Sequence, residues 1–406
     1  MKIVKLQKIT LTFGGSDTSK DGSLSGFSDV SKIVPFGLSS RLDSDSQIMS
    51  DSKFDCEIVD SSTVRVTRGG SGAAGTVIVY VVEFDSNTSV QSGSFTLTSS
   101  TSVDNTINSV TTSESFVIGW WKSTETSTPN PEEMNLGFEL ESSTNVRVHL
   151  DTSGKDHSGH YYVISNPSLS VQRGTFAKDA TPAETTISSV DLAKSYLIWS
   201  DTTDENQYED EGNAEGHLKD STTIQFNPGY SSGSHTYYWQ VISDTELVNV
   251  QRFNTRNTGD SSGDYTLTTV DLNLTLANAG HPIASNSSSE YNKAYDMSCR
   301  STTYDINSTT NVHWVKDSNN GSAVVEIISF AQAETNPVIT DADDENFNLH
   351  ETDITLSGNT FGDTQGSGKL EISNNSTYGD GTLVSQSIDS WSDTSIQFDL
   401  ELGSIT

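Results

Sequence analysis

Val90-Gln91-Ser92-Gly93-Ser94-Phe95 returns as Val171-Gln172-Arg173-Gly174-Thr175-Phe176, and a third time as Val250-Gln251-Arg252-Phe253. Behind it, Thr106-Ile107-Asn108-Ser109-Val110 returns as Thr186-Ile187-Ser188-Ser189-Val190-Asp191 and as Tyr265-Thr266-Leu267-Thr268-Thr269-Val270-Asp271. The copies lie about 80 residues apart, a period that makes the chain a set of similar small domains. A fainter copy opens the chain, where Leu6-Gln7 takes the place of Val90-Gln91.

Each copy ends in a two-strand signal. Thr63-Val64-Arg65-Val66 and Val77-Ile78-Val79-Tyr80-Val81-Val82-Glu83-Phe84 flank a Gly/Ser turn. Their counterparts are Asn145–Val148 with Tyr161–Ile164, Thr223–Phe226 with Tyr237–Ile242, and Asn311–Trp314 with Val324–Ile328. Alternating apolar residues bounded by Gly, Ser, Asn and Asp mark β-hairpins. Four first halves and four second halves place whole repeats at 1–85, 86–165, 166–243 and 244–333. A different domain follows at 334–406. In the second repeat the expected strands are Val90–Leu97, Thr106–Val110, Phe116–Lys122, Asn135–Glu141, Val146–Leu150 and Tyr161–Ser165. Helical periodicity is missing, apart from one turn near Pro131-Glu132-Glu133-Met134. The expected fold class is all-β: tandem antiparallel β-sandwich repeats followed by an Ig-like sandwich. A four-bladed propeller is the rival, but about 80 residues is long for a blade.

The chain has 406 residues and a net charge of −33, from 55 acidic against 22 basic residues. That charge repels phosphate backbones and anionic membrane surfaces, so no nucleic-acid or membrane partner is expected. It favours solubility. Lys2, Lys5 and Lys8 interrupt the N-terminal apolar residues before a signal-peptide core can form. No stretch reaches transmembrane length. The two cysteines, Cys56 and Cys299, read as reduced, half-buried thiols in different repeats. An acidic β array without an export signal suits a protein that folds in a cytoplasm and leaves inside an assembled particle.

The last part of the chain carries Ile354-Thr355-Leu356-Ser357-Gly358-Asn359-Thr360-Phe361-Gly362 and Trp391-Ser392-Asp393-Thr394-Ser395-Ile396-Gln397-Phe398. These two segments resemble the signature turns of the TIG (IPT) immunoglobulin-like family. The resemblance implies an Ig-like sandwich used as a spacer or adhesive module, and it carries no catalytic residue. It runs out at Gly403, before the strands that should finish the sandwich; the favoured expectation is that the native chain continues past Thr406, the alternative that a partner supplies the missing edge. The upstream repeats resemble those of phage virion proteins, through Val-Gln-x-Gly-x-Phe and Ser189-Val190-Asp191-Leu192-Ala193-Lys194-Ser195. That resemblance implies a tail-fibre, spike or decoration role in the virion and transfers no functional residue.

Several motifs invite chemistry. Gly229-Tyr230-Ser231-Ser232-Gly233 and Gly259-Asp260-Ser261-Ser262-Gly263 match G-x-S-x-G. A nucleophile elbow needs a strand before the serine and a helix after it, whereas the first match sits in the hairpin turn that every repeat carries. His149, His157 and His160 cluster, but no Cys or carboxylate stands at metal-ligand spacing beside them. Asp201–Glu211 and Asp341–Glu345 could attract calcium, yet the first lacks the sixth-position Gly of an EF-hand loop. Neither catalytic nor metal residues are expected, and calcium is the sole cofactor considered.

The aromatics Trp120-Trp121, Tyr161-Tyr162, Trp199, Tyr237-Tyr238-Trp239 and Trp314 all fall on strands. Alternation turns one of each adjacent pair outward. Trp121, Tyr162, Trp199, Tyr238 and Trp314 are therefore the candidate interface residues, facing another subunit or stacking on sugar rings. The expected function is a non-enzymatic virion protein in a homo-oligomer with other virion proteins, contacting a host-surface glycan or protein. The rival is a bacterial adhesin or glycan-binding array. A polysaccharide depolymerase would need paired carboxylates in one groove, and no repeat is expected to carry acidic residues on a core strand that the others lack.

Overall fold

The computed structural model describes residues 1–42, 49–124, 131–178, 182–204, 214–228, 234–254, 262–279, 283–284, 302–316, 321–322, 324–333, 338–342, 354–359, 370–373, 383–392 and 395–400. The fold is all-β, built of small antiparallel sheets. It divides into two compact units, residues 1–333 and 334–406.

In the first repeat the strands are β1 (Lys2–Phe13), β2 (Ser19–Ser23), β3 (Ile33–Leu42), β4 (Asp55–Asp60), β5 (Thr63–Thr67) and β6 (Gly75–Phe84). The second has β7 (Ser89–Leu97), β8 (Ser102–Thr106), β9 (Ser115–Ser123), β10 (Gly137–Ser142), β11 (Asn145–His149) and β12 (His157–Ser165). The third has β13 (Leu169–Lys178), β14 (Ala183–Thr186), β15 (Ser195–Thr203), β16 (Ala214–Asp220), β17 (Thr223–Pro228) and β18 (His235–Asp244). The fourth opens with β19 (Asn249–Asn254), β20 (Ser262–Thr266), β21 (Thr275–Ala279) and the short β22 (Ile283–Ala284). It continues through β23 (Thr302–Ser308), β24 (Asn311–Lys316), β25 (Gly321–Ser322) and β26 (Val324–Ser329), and β27 (Ala331–Gln332) follows.

With the short β22 and β25 of the fourth repeat, which pair with each other, left out of the strand count, every repeat pairs its strands the same way. One sheet runs first–sixth–third, as in β7-β12-β9, and the other runs second–fifth–fourth, as in β8-β11-β10. The two sheets face each other over an apolar core, as alternation requires of a sandwich. In the second repeat that core is Phe95, Leu97, Trp121, Phe138, Leu140, Val146, Val148, Tyr161 and Val163.

One expected strand is misplaced. The sequence pattern predicts a strand over Thr106–Val110, but β8 ends at Thr106. Ile107 and Val110 are instead held by single bonds from their amides to the Thr144 and Ser143 carbonyls. Their apolar spacing mimics a strand without a ladder.

The repeats do not sit as separate beads. The first–sixth–third sheet buries its second face too, in a core that all four repeats share. Phe36 lies in it, edge-to-face with Phe84, Phe116, Tyr196 and Phe330 at ring-centroid distances of 5.9–6.2 Å. The contacts between repeats are cyclic. β4 packs on β9 and β12, β10 on β15 and β18, β16 on β26, and β23 on β3 and β6. Thus the fourth strand of each repeat meets the next repeat, and the fourth repeat meets the first. Closure is sealed by β27, which runs parallel to β1 with Lys2 opposite Ala331 and Ile3 opposite Gln332. The Ala333 amide also donates to the Ile3 carbonyl at 2.7 Å.

The second unit has a four-stranded sheet and a strand pair. The sheet is ordered β28 (Val338–Ala342), β29 (Ile354–Asn359), β33 (Ser395–Asp399) and β32 (Ser387–Trp391). The pair is β30 (Glu371–Ser373) with β31 (Leu383–Ser385). Ile354, Leu356, Phe398 and Leu400 form its core.

Candidate functional site

The repeated Val-Gln element is a clamp. The Gln7 amide nitrogen donates to the Ser23 carbonyl at 3.0 Å, and its oxygen accepts from the Ser25 amide at 3.0 Å. Gln91 does the same with the carbonyl and amide of Asn108, at 3.1 and 2.8 Å. Gln172 does so with Ser188, at 3.0 and 2.7 Å, and Gln251 with Thr268, at 3.1 and 2.8 Å. Four side chains, in four repeats, tie the first strand to the loop after the second. A primary amide is suited to this because it carries a donor and an acceptor side by side.

The glycine of the motif has a separate cause. Gly93 stands opposite Tyr161 and Gly174 opposite Trp239 across the ladder. A Cβ on Gly93 would lie 2.3 Å from the Tyr161 hydroxyl, and one on Gly174 would lie 2.8 Å from the Trp239 ring. The motif leaves room for an aromatic to lie across the strand.

The junctions between repeats carry buried polar groups. One position on the sixth strand serves all four: Tyr80, Tyr162, Gln240 and Glu326. The Tyr80 hydroxyl accepts from the Ile306 amide of the fourth repeat at 3.1 Å. The Tyr162 hydroxyl accepts from the Ile58 amide of the first repeat at 3.2 Å. Gln240 accepts from the Val117 amide at 2.9 Å and donates to the Val117 carbonyl at 2.8 Å. Glu326 accepts from the Leu197 amide at 2.9 Å. Each side chain satisfies backbone groups that the packing of one repeat on the next takes out of water.

Two arginines reinforce the junctions. Arg173 donates to the Thr112 and Ser115 carbonyls of the second repeat. Arg252 donates to the Leu192 and Ser195 carbonyls of the third, and its Nε pairs with Glu326 at 2.9 Å. Burial pushes Glu326 upward despite the Arg252 charge, and burial draws Arg173 down to about 10.

The five aromatics proposed as interface residues are buried inside this chain: Trp121 at 6%, Tyr162 at 2%, Trp199 at 9%, Tyr238 at 9% and Trp314 at 3% exposure. Trp121 and Trp199 fill the cores of their own sandwiches. Trp314 lies against Gly263 and near Tyr265, within its own repeat. Tyr162 and Tyr238 do turn outward, but the preceding repeat of the same chain covers them. Tyr238 stacks on His149 at 4.5 Å. In the Trp120-Trp121 pair it is Trp120 that reaches a neighbour, donating to the Pro35 carbonyl at 2.8 Å. None of the five has a surface to offer another subunit or a sugar.

The three histidines bond separate partners. His149 pairs with Glu139 at 2.9 Å, His157 bonds the Glu133 carbonyl at 2.9 Å, and His160 faces Asp55. Burial draws His157 down to about 4. Among the described residues no group of three or more His, Cys, Asp or Glu is placed to hold a metal. Gly229–Gly233, Gly259–Ser261 and Cys299 lie outside the described residues, as does most of both acidic runs, while Ser262 and Gly263 start β20. Asp201 is buried and pairs with His235 at 2.9 Å. Cys56 is a free, fully buried thiol rather than a half-buried one, and burial pushes its pKa up. Glu326 also corrects the expectation that no repeat has its own acidic residue on a core strand. Its carboxylate is engaged by Arg252 and the Leu197 amide.

The structure therefore brings together a set of junction residues of which sequence reading singled out only Tyr162. The clamp glutamines were visible as part of the repeat, and their persistence at a position with no packing role was the available signal. The junction position was hidden because Tyr, Tyr, Gln and Glu share no chemistry except hydrogen bonding. No family model and no curated protein matches this chain.

Proposed function

We propose that this chain is a non-enzymatic structural protein of a bacteriophage virion, which decorates or caps the particle rather than lengthening a fibre. The observation that carries this reading is the closure of four repeats on a shared core. An open array grows by adding repeats. A ring whose fourth repeat packs on its first has no free end at which to grow, so it makes a compact platform.

The outer sheets suit a solvated particle surface. Arg65 pairs with Asp21 and Arg147 with Asp104 at 2.6–3.0 Å, and His313 pairs with Asp264 at 2.9 Å. In each of these three pairs the carboxylate stands on the second, edge strand of its outer sheet and its basic partner on the central strand beside it, and charge on an edge strand discourages edge-to-edge pairing. Among the described residues, the exposed large hydrophobics are Val30, Val59, Val248 and Leu272. The resemblance of Val-Gln-x-Gly-x-Phe to phage virion repeats supports the placement. The TIG-like segments support a spacer or adhesive role for residues 334–406. The proposed partners are other virion proteins, further copies of the chain and a host-surface glycan or protein.

Immunoelectron microscopy of purified particles with an antibody to the chain tests the proposal. Label at fixed positions on the particle is the expected outcome. Label confined to a bacterial envelope would favour the adhesin reading, and a soluble monomer with glycosidase activity would overturn both.

A further inference from the structure

The four junctions are built on one plan, which makes each a control for the others. On the sixth strand, the position two residues before Tyr80, Tyr162, Gln240 and Glu326 is occupied by Ile78, His160, Tyr238 and Val324. In the second repeat alone it is a group that titrates near neutrality. His160 lies on β12, on the face that meets the first repeat. Its Nδ1 is 3.0 and 3.1 Å from the two carboxylate oxygens of Asp55, and its Nε2 is 3.4 Å from Glu57. Both ring nitrogens thus face carboxylates of β4. Asp55 is buried, and Glu57 and His160 are partly so.

We propose that the junction between the first and second repeats is a pH-dependent latch, in which the His160 imidazolium bridges Asp55 and Glu57 and gives up one of them when it loses its proton. The chemistry is that of the ring. An imidazolium has two N–H donors and can serve both carboxylates. A neutral imidazole has one donor, so its other nitrogen presents a lone pair to a carboxylate.

The other charges around the ring do not reverse this. Lys122 on β9 is the cation that opposes protonation, and its Nζ is engaged by the Thr67 hydroxyl at 2.9 Å. Arg65 on β5 lies 3.9 Å from Glu57 and shares that carboxylate. Burial by itself would lower the His160 pKa, but the bond to Asp55 and the charges of Asp55 and Glu57 outweigh it, and the net displacement is upward. A group whose folded pKa is raised stabilises the fold fully below its unfolded value, about 6.5. That contribution is lost as pH rises through the raised value. The latch is closed in acid and loosens toward the alkaline side.

The test uses the full chain and the Ile58 amide, which donates to the Tyr162 hydroxyl across the same junction. Hydrogen exchange at Ile58 is followed across the titration, corrected for intrinsic rate, in wild type, His160→Gln and His160→Tyr. The tyrosine variant carries the residue that the third repeat already uses. Wild-type protection should fall about threefold more than in either variant, the size expected of one partly buried ion pair. Parallel profiles in all three would overturn the latch. Should the variants fail to fold, the wild-type imidazole is titrated by NMR. A midpoint above about 6.5 that coincides with the loss of Ile58 protection supports the proposal. A lower midpoint, or one that does not coincide, contradicts it.

Discussion

The third repeat meets the second through Gln240 and Arg173, and the fourth meets the third through Glu326 and Arg252. The two pairs occupy the same places: Arg173 stands opposite Gln240 in the ladder, as Arg252 stands opposite Glu326. Both arginines reach carbonyls of the preceding repeat. They differ in what they face. Arg252 has a carboxylate at 2.9 Å. Arg173 has an amide, and its Nη1 is buried without a hydrogen-bond partner. Gln240, in return, satisfies both the amide and the carbonyl of Val117, whereas the Glu326 carboxylate can only accept. One junction spends its polar group on the neighbour's backbone and leaves a cation short. The other neutralises the cation and takes up a single backbone amide of the neighbour. The fold tolerates both because the surrounding apolar packing is common to them.

Breaking the charged junction should have the largest effect. Glu326→Ala leaves Arg252 facing a cavity, and removal of one partner of a buried pair costs about 3 kcal/mol or more. Urea unfolding of the full chain, followed by tryptophan fluorescence, measures it. The clamps come next and should not distinguish the junctions. Gln172→Ala and Gln251→Ala each remove two hydrogen bonds of the same geometry, so each should cost about 1–2 kcal/mol by the same measurement, and the two should agree.

Exchanging the two solutions sharpens the comparison further. Gln240→Glu offers Arg173 a carboxylate but points an acceptor at the Val117 carbonyl, so its net effect should stay within about 1 kcal/mol. Glu326→Gln should alter the pH dependence more than the stability at neutral pH. Burial raises the folded pKa of Glu326, so its contribution is greatest in acid and is lost as pH rises from the unfolded value through the raised one. The urea midpoint of wild type relative to the Gln variant should therefore decline on the alkaline side of about pH 4.5 and then level off.

Much of this arrangement was legible in advance. Alternation and turn residues located the hairpins, and the faint Leu6-Gln7 copy set the phase of the repeats. The Gln7 clamp is the physical reason that copy exists. Alternation also says which face of a strand a side chain takes, and Tyr162 and Tyr238 do face away from their own sandwiches. It says nothing about what lies across from that face. A partner subunit and the preceding repeat of the same chain require the same outward aromatic, and only the cyclic packing of β4, β10, β16 and β23 separates them. Among adjacent aromatics the phase itself was ambiguous. Trp121 is the member expected to face outward, yet it is Trp120 that reaches Pro35.

The central claim is that the four repeats close on themselves. Lys2 and Ala331 face each other on neighbouring strands, and adjacent strands lie about 4.7–4.9 Å apart, within reach of a disulfide. A Lys2→Cys/Ala331→Cys variant of the full chain, in a Cys299→Ser background, should oxidise to an intramolecular bridge and remain monomeric on a non-reducing gel. Failure to cross-link, or cross-linking only between chains, would mean that the first and fourth repeats do not meet.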